Sequence, residues 1–271
     1  MESSVSSSDA MKELLVVDLG LMEYGAAWEL QRRVAAARKA AAIPDILLLC
    51  EHPHVITLGR NGKISNLRAP DDLLERMGVS FFETSRGGDI TYHGPGQLVG
   101  YPILNLAEIR RDVGWYVRSL EEAMIRATAE FGIVSKRVPG CTGVWVDVTD
   151  GLAAADRKQV GGAKEAGIRK GEEKLAAIGV HLSRWVTSHG FAYNVSTDLR
   201  YFDLIVPCGI VGKRATSLER LLGRTVEMKE ARLRIAAHLG RIFGLCPRPC
   251  AYRVLEAMMD EKEVQPLETP A

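Results

Sequence analysis

The sequence predicts an α+β domain with a layered sheet, and three observations predict it. Short apolar segments of strand character fall in groups, with amphipathic helices inserted between them and without the regular β–α alternation of a doubly wound sheet. The 271 residues suffice for one domain with added elements but not for two full domains. Hydrophobic residues at 46% and charged residues at 25% are those of an ordinary globular chain, which excludes a disordered, collagen-like or coiled-coil protein.

Glu13 to Asp18 (ELLVVD) reads as a strand, a short apolar run with β-branched residues. Glu23 to Ala41 reads as a helix, because Ala27, Leu30, Val34, Ala37 and Ala41 recur three and four apart, and Pro44 stops it. Ile46 to Cys50 (ILLLC) does not alternate, so it is expected as a central strand buried on both faces. Val79 to Thr84 and Gln97 to Leu104 are further strands around a glycine-dense connection. Asp112 caps a helix whose stripe is Val113, Val117, Leu120, Met124 and Phe131, ended by Gly132. Gly143 to Val148 is a short strand, Thr149 to Glu173 a polar exposed hairpin loop, and Lys174 to His181 and Trp185 to Val195 are strands again. Ala231, Ile235, Leu239 and Ile242 mark a later amphipathic helix, and the chain from Asp260 onward is expected to fray.

Lys+Arg 35 against Asp+Glu 34 leaves a formal net charge of +1, so there is no global basic field for nucleic acid. No apolar run approaches the ~20 residues needed to span a bilayer. The Ser-rich start, MESSVSSSDAMKE, lacks the basic and apolar regions of a secretory signal and reads as a disordered leader. Five cysteines (Cys50, Cys141, Cys208, Cys246, Cys250) in no framework spacing point to free thiols in a reducing compartment, the cytoplasm.

Two segments look unlike scaffold. Arg86 to Gln97 (RGGDITYHGPGQ) carries Gly87, Gly88, Gly94 and Gly96, which allow a backbone to approach a ligand closely. Tight turns between two strands account for the same glycines, and both readings stay open. It is neither a Walker A loop, since no Gly-Lys-Ser/Thr follows, nor a dinucleotide fingerprint, since a strand rather than a helix comes next. In Ile205-Val-Pro-Cys208-Gly-Ile210 a cysteine sits on a sharp turn, placed as a nucleophile if a neighbouring cation favours its thiolate. Lys174 opens an otherwise apolar strand and is the candidate cation; His93 and His189 are candidate bases, and Cys141 is the rival nucleophile. His52-Pro-His54 reads as a turn, and Cys246-Pro-Arg-Pro-Cys250 has no matching second pair for zinc.

Further markers are Glu51-His-Pro-His-Val-Ile-Thr-Leu-Gly-Arg60, Gly143-Val-Trp-Val146, Lys174-Leu-Ala-Ala-Ile-Gly179, His189-Gly-Phe-Ala-Tyr-Asn194 and Phe202 to Ile210. Together, in this order from about Leu14 to Phe243, these segments resemble the lipoyl(octanoyl) transferase family, which has the biotin/lipoate protein ligase fold. The resemblance implies a central mixed sheet flanked by helices, with a small C-terminal subdomain. It implies transfer of an octanoyl or lipoyl group from acyl carrier protein to a lysine of lipoyl domains, those of 2-oxoacid dehydrogenases and the glycine cleavage H protein. It implies neither cofactor nor metal, and no nucleic-acid or membrane partner. Cys208 matches the residue that carries the acyl thioester, and Lys174 the lysine that activates it. Arg86, Gly87, Gly88, Asp89, Ile90, Thr91, Tyr92 and His93, with Ala177, Ile178, Gly179, Gly190, Phe191 and Ala192, match substrate-lining segments. The catalytic domain is then expected over 12–245, with 149–173 a loop longer than is usual, after a leader over 1–11 and before a tail over 246–271.

The residues suit the chemistry. Exchange of one thioester for another is nearly balanced, and transfer to an amine is downhill, so no ATP is needed and no triphosphate cradle is evident. Burying an eight-carbon chain is worth about 5 kcal/mol at about 0.8 kcal/mol per methylene. Arg60, Lys63, Lys213 and Arg214 are candidates for a docking rim toward acidic partners. The competing readings are an ATP-dependent lipoate or biotin ligase, a lipoyl-domain amidotransferase, a non-catalytic carrier-binding module, and a hydrolase using His93 or His189.

Overall fold

The strand Asp45–Glu51 (β2) has every residue buried except the last, and its side chains feed two cores in alternation. Ile46, Leu48 and Cys50 face one side of the sheet, and Leu47 and Leu49 the other. The computed structural model describes residues 11–148, 171–206 and 214–263. Residues 1–10 of the expected leader, 149–170 of the expected loop, the 207–213 segment with Cys208 and Lys213, and 264–271 of the expected tail lie outside the described residues.

Among the described residues a nine-stranded mixed sheet organises the chain. β1 (Lys12–Leu21) runs parallel to β2, and β6 (Gln97–Ile103) pairs antiparallel on the other side of β2. The sheet continues through β10 (Val186–Asn194), β9 (Gly171–Ser183), β8 (Cys141–Val148) and β7 (Lys136–Val138), each antiparallel to its neighbour. Helix α1 (Tyr24–Lys39) buries Ala27, Leu30 and Val34 on one face of the sheet. Helices α3 (Val113–Ala129) and α5 (Met228–Phe243) cover the other with Leu120, Met124, Ile235 and Leu239, and the short α4 (Leu218–Leu222) adds Leu218 to the same core. Asp112 caps α3 as expected, its carboxylate accepting from the Trp115 N–H at 2.8 Å.

A second, three-stranded sheet joins β4 (Ser80–Glu83), β3 (Val55–Leu58) and β5 (Ile90–His93), with α2 (Asp71–Arg76) and a 3-10 turn over Leu199–Leu204. Ile56, Leu58, Leu74, Ile90 and Tyr92 make its core. β5 falls inside the glycine-dense segment that the sequence presents as a connection; its four residues are too few to show a period.

Two boundaries are corrected. Gly171–Glu173, expected as the end of the loop, begin β9. Residues 246–263, expected as tail, belong to the folded body. β12 (Leu245–Pro249) runs parallel to β1, and α6 (Tyr252–Glu263) buries Leu255 and Met259 in the α1 core. Pro247 and Pro249 read as breakers, yet an edge strand tolerates proline because one row of its N–H groups has no ladder partner.

The buried position of Leu255 gives a direct check. Leu255→Ala is expected to destabilise the protein by about 2–5 kcal/mol in urea unfolding. A frayed tail would give no measurable change.

Candidate active site

Where the small sheet meets the central one lies a cavity of about 270 Å³. A cavity of about 150 Å³ holds benzene, so by the same measure this one takes roughly ten heavy atoms. β5 contributes Ile90, Thr91 and His93, β6 contributes Val99 and Tyr101, and α1 contributes Tyr24. The antiparallel register sets Ala177 opposite Ala192, Ile178 opposite Phe191 and Gly179 opposite Gly190, so two separate sequence segments form one wall. Ile90, Val99, Ile178 and Phe191 make it largely apolar.

The glycine segment lies across the end of this wall. The Gly87 N–H donates to the Val180 carbonyl at 2.9 Å, and a Cβ on Gly179 would stand 2.8 Å from the Gly87 oxygen, so the contact requires glycine there. Arg86 is buried, and its guanidinium donates to the Thr57 carbonyl at 2.5 Å and to Thr57 Oγ1 at 2.9 Å, fastening the loop to β3. Asp89 accepts from its neighbour Ile90 N–H at 2.7 Å and from Asn66 Nδ2 at 2.6 Å.

Lys174 is half-buried on the cavity lining beside Cys141 and Thr142. Its Nζ donates to the Thr142 carbonyl at 3.3 Å and lies 4.7 Å from the centre of the Trp145 ring, a cation–π contact. The described chain on either side of 207–213 is fastened to this region. The Val206 N–H donates to the Asn66 carbonyl at 2.7 Å, and β11 (Arg214–Ala215) runs parallel to β9 with Ala215 opposite Lys174.

The Lipoyl protein ligase A/B catalytic domain family matches residues 23–240 of the chain. The octanoyltransferase of Solibacter usitatus is 52% identical over 233 residues, covering 86% of this chain and 94% of that protein. This chain belongs to the octanoyltransferase family. The octanoyltransferase of Acidobacterium capsulatum is 47% identical over 240 residues, 85% of this chain and 90% of that one. A bi-partite lipoate protein ligase from Thermoplasma acidophilum, studied with its E2 lipoyl domain, has the same fold, with a TM-score of 0.65 over 92% of this chain and 91% of that one at 15% identity.

In this member of the octanoyltransferase family, Arg86, Gly88, Asp89, Ile90, Thr91 and His93 line the cavity together with Lys174 and residues 177–179 and 190–192. Gly87 and Tyr92 are not on its lining. Tyr92 packs into the small sheet's core, where its hydroxyl bonds His54 Nδ1 at 2.8 Å and its ring stacks on Tyr201 at 5.1 Å. Tyr24, Asn61, Tyr101 and Thr142 line the cavity without having been singled out in the sequence. Val99, likewise not singled out, lines the cavity on the same β6 face as Tyr101, since residues two apart on a strand share a face; Tyr24 and Asn61 carry no such signal. Of the four residues expected as a docking rim, Arg60, Lys63 and Arg214 are described, and none lines the cavity.

Three histidines are buried around this site. Burial above all, with His52 and Arg86 adding to it, pushes His93 down to about 3. Burial, then Arg86, does the same for His189, also to about 3, and burial lowers His52 to about 4. His93 Nδ1 bonds Gln97 Oε1 at 2.7 Å, and His52 Nε2 bonds the Tyr101 hydroxyl at 2.7 Å. Both His93 and His189 are neutral at pH 7 and poor proton acceptors, which disfavours the hydrolase reading.

These shifts make stability depend on pH. The folded values lie below the unfolded 6.5, so the unfolded chain binds more protons as the solution acidifies. The stability is complete above pH 6.5 and is lost as pH falls from there toward 3, with a slope of up to about 1.4 kcal/mol per pH unit for each histidine. Thermal unfolding followed from pH 8 to 4 should show a falling midpoint below pH 6.5, with a shallower fall in His93→Gln. A midpoint unchanged between pH 6.5 and 4.5 would contradict the assignment.

Proposed function

We propose that this octanoyltransferase takes an octanoyl group from acyl carrier protein, holds it as a thioester on Cys208, and passes it to a lysine of lipoyl domains. The observation that carries the reading is Lys174 at the lining of an apolar cavity sized for the chain. An octanoyl group, eight carbons and one oxygen, fits the roughly ten heavy atoms that the cavity holds. Identity of 52% and 47% to proteins named octanoyltransferase favours carrier-linked transfer over an ATP-dependent ligase. Lipoyl domains as acceptors are supported by the related archaeal ligase, which was studied with its E2 lipoyl domain.

The steps balance without a cofactor. The Cys208 thiolate, favoured by the Lys174 ammonium, adds to the carrier thioester carbonyl; the C–S bond to the carrier breaks, and the carrier thiol leaves with a proton from Lys174. The acceptor lysine then adds to the new thioester, neutral Lys174 takes the proton from its nitrogen, and the Cys208 thiolate departs as the amide forms. Cys141 is the rival nucleophile because it lies on the same lining. No described helix is long and apolar enough to cross a membrane. A cytoplasmic location is part of the proposal, resting on the free thiols.

Intact-mass measurement after mixing with octanoyl carrier protein tests the reading. The wild type and Cys141→Ser should gain one octanoyl group, Cys208→Ser none, and Lys174→Ala only slowly. An adduct on Cys208→Ser equal to that on the wild type would overturn the assignment. Shortening the chain to hexanoyl should weaken binding by about 1.6 kcal/mol, read as a KM rise, because two methylenes leave the apolar wall.

A further inference from the structure

Between β8 and β9 the register slips. Val144 faces Ala176, but Trp145 faces Lys174, so Leu175 is an extra residue on β9. This bulge sets Lys174 directly across from Trp145, over whose ring the ammonium lies. Gly143 adjoins it at φ +131, and a Cβ there would meet the Ala176 oxygen at 2.4 Å and Lys174 Cε at 3.5 Å. The buried Gly143 N–H donates to a side chain: Glu121 Oε1 on α3, at 3.0 Å. Glu121 is 5% exposed, and its other oxygen accepts from Arg137 Nε of β7 at 3.0 Å. Arg137 in turn donates to Glu122 Oε2 at 2.7 Å and to the Arg118 carbonyl at 2.9 Å, so the carboxylate is held from both sides.

We infer that Glu121 is a positioning residue for Lys174, acting through the Gly143 backbone. Its carboxylate fixes the stretch Thr142–Trp145, which supplies both of the Lys174 contacts described above, the Thr142 carbonyl and the Trp145 face. Glu121 does not line the cavity, so it sets where the ammonium stands without touching the acyl chain. Without its acceptor the Gly143 N–H is a buried, unpaired donor, and the backbone relaxes to find another partner. The inference rests on Lys174 being the activating group.

Steady-state kinetics with octanoyl carrier protein and a lipoyl domain, on Lys174→Ala, Glu121→Asp, Glu121→Gln and Glu121→Ala, test it. Lys174→Ala tests the underlying reading separately: near-wild-type kcat there removes the role of Lys174 and the inference with it. If that variant is impaired, Glu121→Asp, which keeps the charge but withdraws the acceptor by one methylene, should lose kcat on the order of 10- to 100-fold with KM for the carrier unchanged. Glu121→Gln keeps an amide oxygen for Gly143 but sets its NH2 group against the Arg137 Nε–H, so it should recover only part of that loss. Glu121→Ala, if it folds, should match Glu121→Asp. Wild-type kcat in folded Glu121→Asp would overturn the role.

Discussion

The antiparallel register of β9 against β10 is the constraint on which the rest of the site depends. It places Ala177 to Gly179 against Gly190 to Ala192, and the same strand carries Lys174 farther along its length. Because strand side chains alternate, a slip of one residue would turn the whole cavity wall toward the opposite core. Gly179 tightens the arrangement, since the glycine segment bearing Arg86 closes over β9 only where no side chain intervenes. One pairing thus builds the slot and seats its loop, and the bulge between β8 and the same β9 sets the Lys174 ammonium over Trp145.

Around this slot several buried polar groups are uncharged. His93 bonds Gln97, whose amide reaches Asn194 at 2.9 Å, and Asn194 in turn donates to the Thr216 carbonyl at 2.9 Å. Burial holds the histidines neutral and pushes Tyr24 up to about 12, so this part of the wall carries dipoles rather than charge, while Arg86 and Asp89 on the same lining are held by Thr57 and Asn66. Lys174 adds a further charged group to the lining, its ammonium set against the Trp145 face and the Thr142 carbonyl.

Much of this was legible in the chain. The non-alternating ILLLC run announced a central strand, Asp112 announced the start of α3, and the order of the motifs announced the family. Most residues singled out along 86–93, 177–179 and 190–192 do meet at one cavity, Gly87 and Tyr92 excepted. The C-terminal strand and helix were hidden, because prolines and a charged run mask the spacing of Leu255 and Met259. Of the second sheet, β4 was legible as the run Val79 to Thr84, but β3 and β5 were hidden, their four residues each being too few for a period to rise above composition.

What the sequence determined by itself is the class of fold, the order of its main elements and the chemistry on offer: a cysteine between proline and glycine, a lysine in an apolar strand, and glycines that admit close approach. The tertiary structure alone decided which side chains share the slot, that Tyr92 turns away from it while Tyr24 and Tyr101 turn in, and that a carboxylate on α3 reaches the strand beside Lys174. The physical reason is that periodicity and residue type are local properties, whereas a register, a bulge and a contact across 22 residues of sequence are fixed only when separate segments pack together.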